Sequence, residues 1–184
     1  MKTLVVGGTQ DFGKAITDYF DAYGIGRSNG FDIDHSEKRT EIVNLSLEYD
    51  LVVIVTNGGN CQSILTEEMA IKWLEDNHDG YLMCLGSTAI YHDTYKRPTN
   101  FWKYIREKEG LKALTRYVTK KVADHRTSMR FTNLQVGRLD NEKARKRENF
   151  RVGLQSQYIC ELINFLYNSP KDLNVHELFV DPKY

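Results

Sequence analysis

Tyr104 and Lys108 stand one helical turn apart in a long amphipathic stretch, so a helix there brings a phenol and an ammonium onto one face. Such a pair can pass a proton, because the positive charge favours the phenolate. Tyr117 and Lys121 repeat the spacing in the same stretch, so spacing alone describes two solvated helix pairs equally well. A second chemical signature lies near the N-terminus. There Gly7-Gly8-Thr9-Gln10-Asp11-Phe12-Gly13 joins a strand-like run to an amphipathic segment. Backbone N–H groups at a helix N-terminus attract a diphosphate, and glycine lets the backbone come close. Gly7 and Gly13 suit the turn and the helix–sheet contact. The middle position, where such loops often carry glycine, is Asp11. A carboxylate is unfavourable beside a diphosphate unless it points away, and it can instead cap the helix. Without a ligand the segment is an ordinary glycine-rich strand–helix turn.

Short apolar runs alternate with amphipathic ones along the whole chain. Strands are predicted at Thr3–Val6, around Ile25, at Phe31–Asp34, Leu51–Thr56, Tyr81–Leu85, Arg130–Val136 and Val175–Val180. Helices are predicted at Gly13–Ala22, Ser36–Glu48 (with Ser36 as N-cap), Thr66–Glu75, Phe101–His125 and Val152–Leu166. The run from Leu51 to Thr56 is continuous and β-branched, as in a strand covered on both faces. The expected architecture is one Rossmann-like α/β domain over residues 1–184, a doubly wound parallel sheet of about seven strands with helices on both faces.

The bulk properties exclude several classes. Twenty-five basic and 25 acidic residues balance, which gives no reason to expect nucleic acid or an anionic membrane as partner. No apolar stretch is long enough to cross a bilayer, and the chain opens on a strand-like run rather than a signal peptide. Cys61, Cys84 and Cys160 form no CxxC pair, so inert thiols in a reducing cytoplasm are expected. His35, His78, His92, His125 and His176 show no ligand spacing, and no metal is expected. Lys143, Arg145, Lys146, Arg147 and Arg151 make a basic run that either attracts an anion or forms a solvated face.

The segment from Tyr104 through Lys108 to Leu114-Thr115-Arg116 resembles the active-site helix of the short-chain dehydrogenases/reductases. Other segments resemble that family in the same order. The Gly7–Gly13 turn is similar to its cofactor loop, and Asp32-Ile33-Asp34 to the acidic strand end near the adenine. Thr56-Asn57-Gly58-Gly59 looks like its Asn-Asn-Ala-Gly motif, and Leu85-Gly86-Ser87-Thr88 like the strand end carrying the catalytic serine. Val136-Gly137-Arg138 stands where the family has Pro-Gly, and Glu177–Asp181 resembles its last strand.

The resemblance implies an oxidoreductase that exchanges hydride between a nicotinamide cofactor and a small carbonyl or alcohol. Ser87, Tyr104 and Lys108 would be catalytic. Gly7, Thr9, Gln10, Asp11, Phe12, Gly13, Arg27, Ser28, Asp34, Asn57, Gly58, Gly59, Tyr104, Lys108, Val136 and Gly137 would line the cofactor site. Arg27, with Ser28, can fork onto a 2'-phosphate, which favours NADP; the alternative is NAD, with Asp32 or Asp34 on the ribose. The family's usual dimers or tetramers imply contacts through the helix at Thr66–Glu75 and the Tyr104 helix. Three departures stand out. The chain is short, the family's relay asparagine has no clear counterpart (Asn60 lies too near a strand end), and the Ser87–Tyr104 interval is long. That interval holds Tyr91, His92, Tyr95, Lys96 and Arg97, which either line a substrate pocket or form a polar surface loop. An inactive cofactor-binding sensor is the alternative function.

Overall fold

The computed structural model describes residues 1–56, 61–91, 99–125, 127–146 and 152–183. Six strands form one sheet: β1 (Thr3–Val6), β2 (Tyr23–Ile25), β3 (Leu51–Ile54), β4 (Tyr81–Ser87), β5 (Arg130–Val136) and β6 (Glu177–Val180). Their order is β2-β1-β3-β4-β5-β6, and every pairing is parallel. β1, β3, β4 and β5 are buried along their whole length; burial on both faces accounts for the apolar runs of β1, β3 and β4, whereas β5 also buries Arg130, Thr132, Asn133 and Gln135. Successive side chains feed opposite layers. Leu4, Val6, Val52, Ile54 and Leu82 join one core, while Val5, Leu51, Val53, Met83 and Leu85 join the other.

The second core is closed by helices α1 (Asp11–Phe20) and α6 (Ser156–Tyr167), which supply Phe12, Ile16, Ile159 and Ile163. The first is closed by α2 (Ser36–Ser46), α3 (Cys61–Glu75) and α4 (Thr99–His125), which supply Ile42, Leu65, Trp73, Leu111 and Val118. A short helix, α5 (Glu142–Arg145), follows β5. The doubly wound expectation therefore holds, with six strands in place of seven.

Phe31–Asp34 is not a strand. The Asp32 carboxylate accepts the backbone N–H of Asp34 at 3.1 Å, closing a local turn. Ile33 still plugs into the core, and its carbonyl accepts from Arg39. The sheet thus ends at β2. Two helix starts also differ from expectation. α3 begins at Cys61 rather than Thr66 because Glu107 of α4 accepts the backbone N–H of Ser63 at 2.7 Å, a cap supplied by another helix. α2 is preceded by His35, which makes no side-chain cap, so Ser36 is its first residue and not its N-cap.

Candidate active site

The chain leaves β1 for β2 on one side and later crosses to β3 on the other, and a crevice opens at that switch point. It is a cleft of about 1250 Å³, walled by the residues that follow the carboxyl ends of the strands.

Its first wall is the glycine turn. Gly7 has φ +88°, a left-handed conformation that side chains disfavour, and its N–H and that of Gly8 donate to Ile25 O at 2.7 and 3.0 Å. A Cβ on Gly13 would collide with the Gly7 carbonyl oxygen, so helix and strand meet only through glycine. Thr9, Gln10, Asp11 and Phe12 line the cleft as expected. Asp11 does not cap α1; the cap position is Gln10, with an extended backbone and no side-chain cap bond. Asp11 itself adopts φ +48°, so the backbone keeps the geometry suited to glycine although the residue has changed.

Past β2, Arg27 and Ser28 enter the lining within a 3₁₀ turn, Arg27–Asn29. The Arg27 guanidinium pairs with Asp32 and with Asp34, each at 2.8 Å. Asp32 lines the cleft, while Asp34, expected there, does not. The backbone amide of Asp34, and then Arg27, hold the Asp32 carboxyl below its ordinary range. Of the motif after β3, Thr56 lines the cleft, and Asn57, Gly58 and Gly59 lie outside the described residues.

The opposite wall carries the candidate chemistry. Ser87 ends β4, in register with Val136 of β5; both line the cleft, as does Gly137. The Ser87 N–H donates to Gln135 Oε1 at 2.6 Å, and its Oγ accepts the Ala89 N–H at 3.3 Å. Gly137 has no room for a Cβ because the Asp181 carboxylate lies against it, and that carboxylate accepts from Thr88 Oγ1 at 2.7 Å.

From α4, Tyr104 and Lys108 face the same cleft. Lys108 Nζ stands 5.6 Å from the Tyr104 ring centroid. It donates to Leu85 O at 2.8 Å and to Gln62 Oε1 at 2.6 Å. Burial pulls Lys108 down to about 8, against the opposing influence of Cys84 and Glu107. It is sheltered from water and gives up its proton more readily than an exposed lysine. Tyr117 and Lys121 share the helix but not the cleft; Tyr117 is exposed, with Lys121 Nζ 5.7 Å from its ring.

Sequence reasoning missed Gln62, which lay ahead of the expected helix start, and the Thr88–Asp181 contact across 93 residues. Tyr91 packs against Phe179 rather than lining the cleft, and His92, Tyr95, Lys96 and Arg97 lie outside the described residues. In the basic run, Arg145 is held by Asp140 at 2.6 Å, while Arg147 and Arg151 lie outside the described residues. Among the described residues no group of three His, Cys, Asp or Glu side chains could hold a metal, and no helix is long and apolar enough to cross a membrane.

Solved structures with this architecture include serine dehydrogenase complexed with NADP+ (18% identity, TM-score 0.73, covering 99% of this chain and 95% of that one). A second is 4-hydroxyisoleucine dehydrogenase complexed with NADH (15%, TM-score 0.77, covering 98% and 97%). A third is 3-alpha-hydroxysteroid dehydrogenase from Pseudomonas sp. B-0831 complexed with NADH (13%, TM-score 0.76, covering 98% and 95%). The fold is that of the short-chain dehydrogenases. At these identities the likeness carries the architecture, and the chemistry rests on the cleft. No protein-family model matches the chain, and no curated protein matches it in sequence.

The cleft suits a dinucleotide. Gly7, Thr9 and Gly13 line it at the N-terminus of α1, where backbone N–H groups attract a diphosphate. The wall farther along brings Ser87, Tyr104 and Lys108 together.

Proposed function

We propose that this protein is an oxidoreductase that interconverts a small carbonyl compound and its alcohol with a nicotinamide cofactor. The observation that carries the reading is the meeting of Ser87, Tyr104 and Lys108 in the same cleft as the glycine turn. Bound along that cleft, a nicotinamide dinucleotide supplies or accepts the hydride.

The protein's own groups manage the proton and the position. Tyr104 donates its phenolic proton to the carbonyl oxygen in reduction and takes it back in oxidation. The Lys108 ammonium favours the phenolate that remains, and its burial strengthens that influence. Ser87 hydrogen-bonds the same substrate oxygen and fixes its orientation. All five lining the cleft, Thr9, Gln10 and Phe12 would hold the diphosphate, and Val136 and Gly137 the nicotinamide. Asn57, Gly58 and Gly59 remain part of the proposed cofactor site from sequence. Tyr104→Phe is expected to abolish turnover of any accepted carbonyl while leaving cofactor affinity nearly unchanged. Unchanged turnover in that variant would sink the assignment.

NADP is the preferred cofactor in this reading. Arg27 stands at the cleft wall, two-thirds exposed, and its pairs with Asp32 and Asp34 are solvent-screened surface contacts that a ligand can displace. A 2'-phosphate offers the guanidinium charge-assisted bonds roughly twice as strong as neutral ones, with Ser28 adding another donor. One observation favours NAD instead: Asp32 and Asp34 outnumber Arg27 and repel a phosphate. Asp32, the one that lines the cleft, would then take the ribose hydroxyls. Comparing NADPH and NADH affinity in wild type and Arg27→Ala separates the two, since only NADP predicts a selective loss of NADPH binding. The proposed assembly is a dimer or tetramer through the outer faces of α3 and α4, where Ile64, Ile71 and Tyr117 are exposed. Light scattering of the purified protein tests it.

A further inference from the structure

Gln62 is fully buried, and its amide ties three elements together. Its Nε2 donates to Ile54 O, at the end of β3, at 3.3 Å and to Leu85 O, near the end of β4, at 3.1 Å. Its Oε1 accepts from Lys108 Nζ of α4 at 2.6 Å. Lys108 and its neighbour Glu107 thus grip the first turn of α3 twice, once through the Gln62 side chain and once through the Ser63 N–H. An ammonium has three donors, and two of those on Lys108 are committed to neutral oxygens, Gln62 Oε1 and Leu85 O. Neither partner cancels its charge.

We propose that Gln62 is a positioning residue for Lys108: its amide oxygen and the Leu85 carbonyl fix the buried ammonium beneath Tyr104, with the charge kept whole and one donor left for the cleft. The catalytic meaning of this anchor rests on the oxidoreductase reading above; the anchoring itself does not. A hydrophobic side chain at position 62 would leave the ammonium with one fewer oxygen in a dry site. A carboxylate there would neutralise it, and Tyr104 would lose the field that favours its phenolate.

The described titratable groups facing Lys108 are Cys84 from β4 and, on its own helix, Glu107 and Tyr104. Cys84 is pushed up to about 12 by burial and stays a thiol, and burial likewise raises Glu107. Gln62 is therefore the position where one atom's change alters the charge facing Lys108.

The test is the titration of Lys108 followed by NMR on protein carrying ¹³C at the lysine ε-carbons, its resonance identified by its loss in Lys108→Met. The wild-type midpoint is expected near 8. Gln62→Glu, which gives up the Nε2 donors to Ile54 O and Leu85 O but brings a carboxylate to Nζ, is expected to raise it by about one unit or more, and Gln62→Leu to lower it. A merely structural Gln62 would change the melting temperature and leave the midpoint where it was. A midpoint unmoved in Gln62→Glu overturns the proposal, and that variant keeps the test open should Gln62→Leu fail to fold. No cofactor enters this measurement. If Lys108 follows residue 62 but the wild type binds neither NADPH nor NADH, the anchor stands and the oxidoreductase reading falls.

Discussion

The burial of Lys108 has a consequence for stability that needs no substrate. Its ordinary value of 10.5 falls to about 8 in the folded protein, so the folded state holds that proton less tightly than the unfolded chain does. The cost of burying the charge is therefore complete below about pH 8 and fades as pH rises towards 10.5. Wild type is expected to gain stability relative to Lys108→Met across that window, as read by denaturant melts at pH 7.5 and 9.5. A constant difference would mean that Lys108 is not buried as described. Asp11 makes the complementary case. It holds a left-handed backbone at the turn where a diphosphate would lie. Glycine there adopts the left-handed backbone without strain and removes a repelling charge. Asp11→Gly is expected to bind NADPH more tightly, by calorimetry. Weaker binding would mean that the carboxylate contacts something other than a diphosphate.

The helices and strands show where local sequence sufficed and where it did not. β1, β3 and β4 were legible because both faces are buried and their apolar runs have no competing local bond. Phe31–Asp34 misled because its apolar residues do face the core, yet Asp32 spends its carboxylate on the Asp34 N–H, which no apolar pattern reveals. The early start of α3 was invisible for a different reason: its cap is Glu107, 44 residues away. Gln62, the residue that reaches Lys108, stayed hidden with it. Glu107→Ala is expected to cost about 1–3 kcal/mol by orphaning that N–H. Hydrogen exchange should quicken at Ser63 and its neighbours before the rest of α3. Uniform quickening along α3 would argue against a cap.

In the folded molecule, the order β2-β1-β3-β4-β5-β6 creates the switch point, and the cleft follows from it. Residues at strand ends accordingly line it: Gly7 and Gly13 of the first turn, Ser87, Val136 and Gly137. Contacts that close the site from far along the chain, such as Thr88 with Asp181, have no local signature. Asp34 shows the limit of strand-end reasoning, because residues 31–34 form a turn and not a strand, and of the two carboxylates only Asp32 lines the wall. Everything argued for Tyr104, Lys108 and Gln62 as chemistry depends on a dinucleotide lying along that cleft. The most direct test is a titration of the purified protein with NADPH and NADH, followed by nucleotide fluorescence. Saturable binding, tighter for NADPH and weakened selectively by Arg27→Ala, is the expected result. Failure to bind either nucleotide would leave the short-chain dehydrogenase fold intact and contradict its use as an oxidoreductase.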